Sequence, residues 1–154
     1  MDVEILRKVA LFEGLTSAQL RKLAAGMKEV SFPINTHIFK EGEPGTGMFI
    51  ITDGKVRISK MVPGIGEEAL AVLRPGAYFG EMEFIDRDLR RAARAIIHER
   101  AILYGFAYSA LDDLLGTDRD LALAISNAMV KTLASRLRAT NDKVTAMFAM
   151  ASFG

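Results

Sequence analysis

The residues best equipped for chemistry lie in Pro75-Gly76-Ala77-Tyr78-Phe79-Gly80-Glu81-Met82-Glu83-Phe84-Ile85 and in Arg91-Ala92-Ala93, six positions further on. Gly80 opens what reads as a single helical turn, Glu81 sits just inside it, and Arg91 returns eleven positions after the glycine, followed by two residues too small to obstruct a ligand. Together they make an anion cradle. Backbone N–H groups at the start of a helical turn attract a phosphate, an arginine forks onto its oxygens, and a carboxylate accepts hydrogen bonds from sugar hydroxyls. A phosphorylated sugar satisfies all three, whereas a β-turn with a surface arginine would need none of them.

Catalytic arrangements find less support. His37 and His98 have no helical pairing and no cysteine beside them, and a metal site needs at least three convergent ligands, so no metal is expected. Ser109 and Ser152 lack a neighbouring base, Ser17 is better read as a helix cap, and Asp112-Asp113 as the polar side of a short helix. Glu81 and Glu83, two apart on a helix, face different ways and so do not form an acid–base pair. Gly42-x-x-Gly45-x-Gly47 lacks the lysine and hydroxyl of a phosphate-binding P-loop. A binding domain, not an enzyme, is the expectation.

At 154 residues, half of them apolar and a quarter charged, the chain has the length and composition of one globular domain. It has no cysteine, which excludes disulfides and thiolate chemistry and fits a cytoplasmic setting. No apolar run approaches the roughly 18 to 20 residues that span a bilayer, so no membrane partner is expected. A net charge of +1 gives no global attraction to nucleic acid, and no direct contact with it is expected.

The elements that must position the cradle follow from periodicity. Residues 3–12 read as a short helix interrupted by Gly14, and Thr16-Ser17-Ala18-Gln19 has capping-box spacing for a second helix over about 17–26. From Glu29 the pattern alternates, with glycines about every ten residues, which suggests an antiparallel barrel with strands at 29–33, 37–40, 47–52, 55–61, 67–74, 91–98 and 100–107. Asp53-Gly54 and Pro63-Gly64-Ile65-Gly66 read as hairpin connections. Tyr108 to Leu115 makes a short helix that Gly116-Thr117 breaks, and Asp118 opens a long one. On it Leu133, Leu137, Thr140, Val144 and Met147 alternate by four and three, a seam suited to a partner helix. A hydroxyl on that seam needs a hydrogen-bonding partner, which a purine edge or the helix's own carbonyl can supply.

Phe79-Gly80-Glu81-Met82 with Arg91-Ala92-Ala93 resembles the phosphate-binding cassette of cyclic nucleotide-binding domains, in particular those of the bacterial catabolite activator (cyclic AMP receptor) family. The 41–54 segment and Ser135-Arg136-Leu137-Arg138-Ala139-Thr140-Asn141-Asp142-Lys143-Val144 are similar to the same family, and the resemblance covers about residues 10–148. It implies a double-stranded β-helix (jelly-roll) barrel, with Glu81 on the ribose 2′-hydroxyl, Arg91 on the cyclic phosphate, and backbone contacts from around Gly80, Met82 and Ala92. It also implies that Thr140, and Asn141 of a partner subunit, reach the base. The expected ligand is cyclic AMP or a related cyclic mononucleotide, with no cofactor, in a homodimer paired along 120–148. The expected organisation is one domain, 1–154: N-terminal helices over 1–28, a barrel over 29–107 carrying the cassette at 76–93, and C-terminal helices over 108–148.

Two departures stand out. Glu83 occupies a position where the family has alanine or glycine, and a second carboxylate opposes a bound phosphate unless it points outward or one of Arg87, Arg90, Arg91 and Arg94 neutralises it. The register between Arg90 and Arg91 is open from sequence; Arg91 is chosen because the alanine pair follows it, and Arg87 and Arg94 are expected in solvent. The family's activators continue into a winged helix-turn-helix domain, and the residues after 147 build no recognition helix. The competing expectation is therefore a barrel without ligand, serving as an interaction module.

Overall fold

The structure is a computed structural model that describes residues 2–153; Met1 and Gly154, the ends of the expected domain, lie outside the described residues. Helix α1 (Val3–Leu6) is capped by the Asp2 side chain on the Glu4 N–H and is followed by a 3-10 turn at Ala10–Phe12. The single helix expected over 3–12 is thus two short pieces, bent so that Leu6, Val9, Leu11 and Phe12 all bury. Helix α2 (Ser17–Ala25) begins with the expected box: Gln19 N–H donates to the Thr16 hydroxyl, Thr16 N–H donates to the Gln19 side chain, and Gly26 ends it.

Strands β1 (Met27–Phe32), β2 (His37–Phe39), β3 (Gly47–Val62), β4 (Gly66–Leu73), β5 (Tyr78–Phe79) and β6 (Arg94–Ala107) form one antiparallel sheet ordered β1-β6-β3-β4, with β2 on β6 and β5 on β3. The Pro63–Gly66 hairpin is where it was expected, between β3 and β4. Asp53-Gly54 is not a turn. It lies inside the 16-residue β3, where the register against β6 shifts around Asp53. Gly54 adopts φ +77°, and a Cβ there would fall 2.1 Å from the Arg100 carbonyl, so the glycine permits a bulge. By the same continuity the two strands expected over 91–107 are the single β6, which starts only at Arg94.

Helix α4 (Tyr108–Thr117) runs through Gly116, and the break falls at Asp118, whose carboxylate caps α5 (Arg119–Phe153) by accepting from Leu121 N–H. Two adjoining cores result. One is the barrel interior, with Ile51, Val56, Phe79, Ile97 and Leu103; the other joins α1, α2 and α4 to the first half of α5 through Leu121, Ile125 and Met129. Beyond Arg136 every described residue of α5 is exposed. Between the cores, β5 carries Tyr78 and Phe79 to the mouth of the barrel and delivers the chain to the cassette.

Candidate functional site

The cassette begins where β5 ends. Gly80 adopts φ +83°, and a Cβ on it would lie 3.2 Å from the Gly47 carbonyl and 3.0 Å from Arg91 Nη1, so glycine lets the turn pass against β3. Helix α3 (Met82–Ile85) follows directly, a single turn with Glu81 at its N-cap. Across from it the Arg91 backbone is held on both sides by the 42–43 loop: Arg91 N–H donates to Glu43 O at 2.9 Å and Gly42 N–H donates to Arg91 O at 2.8 Å. Arg91 is buried, whereas Arg90 is exposed and donates to the Gly42 carbonyl.

Phe79, Gly80, Glu81, Met82, Ala92 and Ala93, six of the expected site residues, line one cavity of about 180 Å³ together with Phe39, Ile58, Ala71, Leu73, Glu83 and Arg136. Most of its wall is apolar, backed by the stacked rings of Phe49 and Phe79, whose centroids are 5.3 Å apart. Arg91 is not on that wall. Its guanidinium lies over the Phe39 ring, with Cζ 4.0 Å from the centroid. Nη1 donates to Glu83 Oε2 at 2.7 Å, to the Gly80 carbonyl at 3.0 Å and to the Tyr108 hydroxyl at 3.0 Å, and Nη2 donates to the Gly47 carbonyl at 2.7 Å. Nε is buried and has no partner among the described residues. The Tyr108 hydroxyl in turn donates to the Gly80 carbonyl, and burial pushes its pKa up.

Glu83 therefore points inward and is neutralised by Arg91. Glu81, also buried, faces the other way and accepts from Arg136 Nη1 at 2.7 Å, while Arg136 Nη2 donates to the Tyr78 carbonyl at 2.9 Å. Of the other two arginines, Arg87 is exposed as expected, pairing with Asp112. Arg94 is half-buried, held by Ser59 and Glu67.

Thr140 and Asn141 do not join the cavity. Both are exposed on α5, and the Thr140 hydroxyl donates to the Arg136 carbonyl one turn back at 3.0 Å. Sequence reading missed Arg136, the residue by which α5 does reach the cavity. Its signal was faint: a cation four positions before Thr140, on the same helix face. Leu73 and Arg136 also line a second, larger groove of about 740 Å³ between α5 and the 10–14 and 73–77 segments, so these two side chains separate the groove from the cavity.

A jelly-roll barrel with a glycine-opened cassette, a buried carboxylate and a buried arginine at its mouth defines a class of small-ligand sensor domain. The model of the cyclic nucleotide-binding domain matches residues 29–118, and the chain belongs to that family. It is 33% identical over 142 residues to the CRP-like cAMP-activated global transcriptional regulator of Mycobacterium tuberculosis, covering 92% of this chain and 61% of the relative. The chain thus spans less than two thirds of that regulator's length. Among solved structures it resembles the N-terminal domain of a transcriptional regulator from Streptomyces coelicolor A3(2), at 31% identity and TM-score 0.73 over 91% of this chain and 94% of that one. It also resembles a cyclic nucleotide-binding domain from Methylobacillus flagellatus KT, at 26% identity and TM-score 0.82 over 93% and 80%. No described helix is long and apolar enough to cross a membrane.

Proposed function

We propose that this chain is a sensor domain that binds a 3′,5′-cyclic mononucleotide, cyclic AMP first, without altering it chemically. The observation that carries the reading is the buried Arg91 with an unpartnered Nε, bonded to Gly80 and Glu83 of a cavity on whose wall Glu81 stands. A buried donor without an acceptor is rare, and a cationic one bonds most strongly to an anionic acceptor. Arg91 takes the cyclic phosphate, Glu81 the ribose hydroxyl, and the backbone around Gly80, Met82 and Ala92 completes the cradle. The cavity is smaller than the roughly 300 Å³ at the low end for small-molecule sites, so the ligand opens it, and moving Arg136 joins it to the groove beside α5.

Output runs through α5. Its inward stripe of Leu121, Ile125 and Met129 packs on the domain, while Leu123, Val130, Leu137 and Val144 recur every seven residues on an exposed face. That spacing supports a homodimer paired along 120–148. In the dimer Thr140 and the partner subunit's Asn141 reach the base. A ligand that touches both cassette and helix distinguishes two arrangements of them, which is what a population shift requires. The domain catalyses nothing and makes no nucleic-acid contact of its own.

Isothermal titration with cyclic AMP and cyclic GMP, repeated on Arg91→Ala, tests this reading. Micromolar or tighter binding that disappears in the variant is expected; no heat and no thermal shift with either nucleotide would overturn it. A ligand-free interaction module is the second reading, and the Glu83–Arg91 pair favours it, since an arginine already matched by a carboxylate has less need of a phosphate.

A further inference from the structure

Glu83 and Arg91 form the most buried ion pair among the described residues, their side chains 6% and 4% exposed and 2.7 Å apart. Three of the four bonds that Arg91 makes, to Glu83, Tyr108 and the Gly80 carbonyl, leave from Nη1. Nε, by contrast, is buried and has no partner among the described residues. Glu83 itself lines the cavity that Arg91 does not reach. Glu83 thus belongs both to the cavity wall and to the pair that holds Arg91.

We propose that Glu83 is a built-in competitor for the phosphate, which holds Arg91 withdrawn in the empty site and sets the ligand concentration at which the cassette fills. This rests on the cyclic nucleotide reading. Two anions meeting at one guanidinium in a partly closed site repel by several times the thermal energy, so the incoming phosphate binds only as Glu83 gives up its bond. The phosphate then takes the Nε edge of the fork, and binding is weaker than the cradle's contacts alone would make it. Removing the competitor therefore tightens binding, the reverse of what losing a ligand contact does.

The test measures cyclic AMP affinity by isothermal titration for the wild type, Glu83→Gln, Glu83→Ala and the double variant Glu83→Ala/Arg91→Ala. Both single variants are expected to bind roughly tenfold or more tightly than the wild type, and the double variant to lose that gain. Glu83→Gln keeps the volume and a hydrogen bond to Arg91, and carries the test if Glu83→Ala fails to fold. Wild-type binding with equal or weaker affinity in Glu83→Gln overturns the proposal and leaves the sensor reading intact. Binding in the variants alone upholds Glu83 as the competitor and overturns the sensor reading for the wild-type chain. If no protein binds a cyclic nucleotide, the sensor reading falls, and thermal melts with inorganic phosphate decide the proposal separately. Phosphate should raise the Tm of Glu83→Gln above any rise in the wild type; an equal response overturns it.

Discussion

Two carboxylate–arginine pairs flank the ligand cavity at the same 2.7 Å, and they differ in everything else. Glu83–Arg91 joins residues eight apart within the cassette, with both side chains buried. Glu81–Arg136 joins residues 55 apart, with a carboxylate 2% exposed and a guanidinium 40% exposed, arriving from α5. Burial makes the first pair a fixed part of the cassette: separating it strands a charge in a low-dielectric site. The second is a clasp, because water can take over from Glu81 on the exposed arginine at little cost. Distance alone conceals this division of labour. One pair is internal to the cassette, and the other ties the cassette to the long helix.

Arg91→Ala probes the contrast most strongly. It leaves Glu83 buried without its cation, and urea denaturation should report a loss of about 3–5 kcal/mol. A loss below about 1 kcal/mol would mean that Glu83 escapes to water and that the two pairs are alike. Arg136→Ala should cost only about 1 kcal/mol, since that arginine is largely solvated, yet hydrogen exchange along 121–136 should quicken as α5 loses its hold on the cassette. Unchanged exchange there would remove the clasp from the account.

The tyrosines sharpen the comparison through pH, because the Tyr108 hydroxyl bonds Arg91 of the first pair. All three tyrosines are held above the ordinary 10.0: Tyr78 and Tyr108 chiefly by burial, and Tyr104, pushed up to about 12, chiefly by its hydrogen bond to Glu29. A folded pKa raised above its unfolded value means stability that is full below pH 10 and lost as pH rises through the folded pKa. Phenolate absorbance of the native protein should therefore lag that of the urea-unfolded chain throughout the alkaline limb. Coincident curves would show the hydroxyls to be solvated. The smallest effect belongs to Arg87, whose exposed pair with Asp112 and stacking on the Phe84 ring should make Arg87→Ala cost no more than about 1 kcal/mol in the same urea experiment.

How much of this was legible in the chain depended on the range of the interaction. Thr16 and Gln19, the hairpin at Pro63–Gly66 and the glycine-opened cassette declare themselves because capping, turning and anion cradling are local demands on residue type. Asp53-Gly54 misled because a glycine at positive φ serves a turn and a bulge equally, and only the Arg100 carbonyl packed against it decides between them. β5, two residues long, has no period to read, and the strand expected over 91–98 starts only at Arg94 because Arg91 is held by a loop and not by a ladder. Inward orientation of Glu83 was one of two options on a single helical turn. Arg136 was hidden altogether, since a contact across 55 residues exists only once α5 has packed.

The most direct test of the central claim, that the ligand's phosphate takes Arg91 from Glu83, is to follow the arginine Nε–H resonances by 1H–15N NMR during a cyclic AMP titration, with Arg91 assigned from the Arg91→Lys spectrum. The Arg91 Nε–H, unpartnered among the described residues, should move well downfield as it acquires a charged acceptor, farther than any other arginine in the domain. Saturation of the protein with ligand while that resonance stays in place would contradict the account.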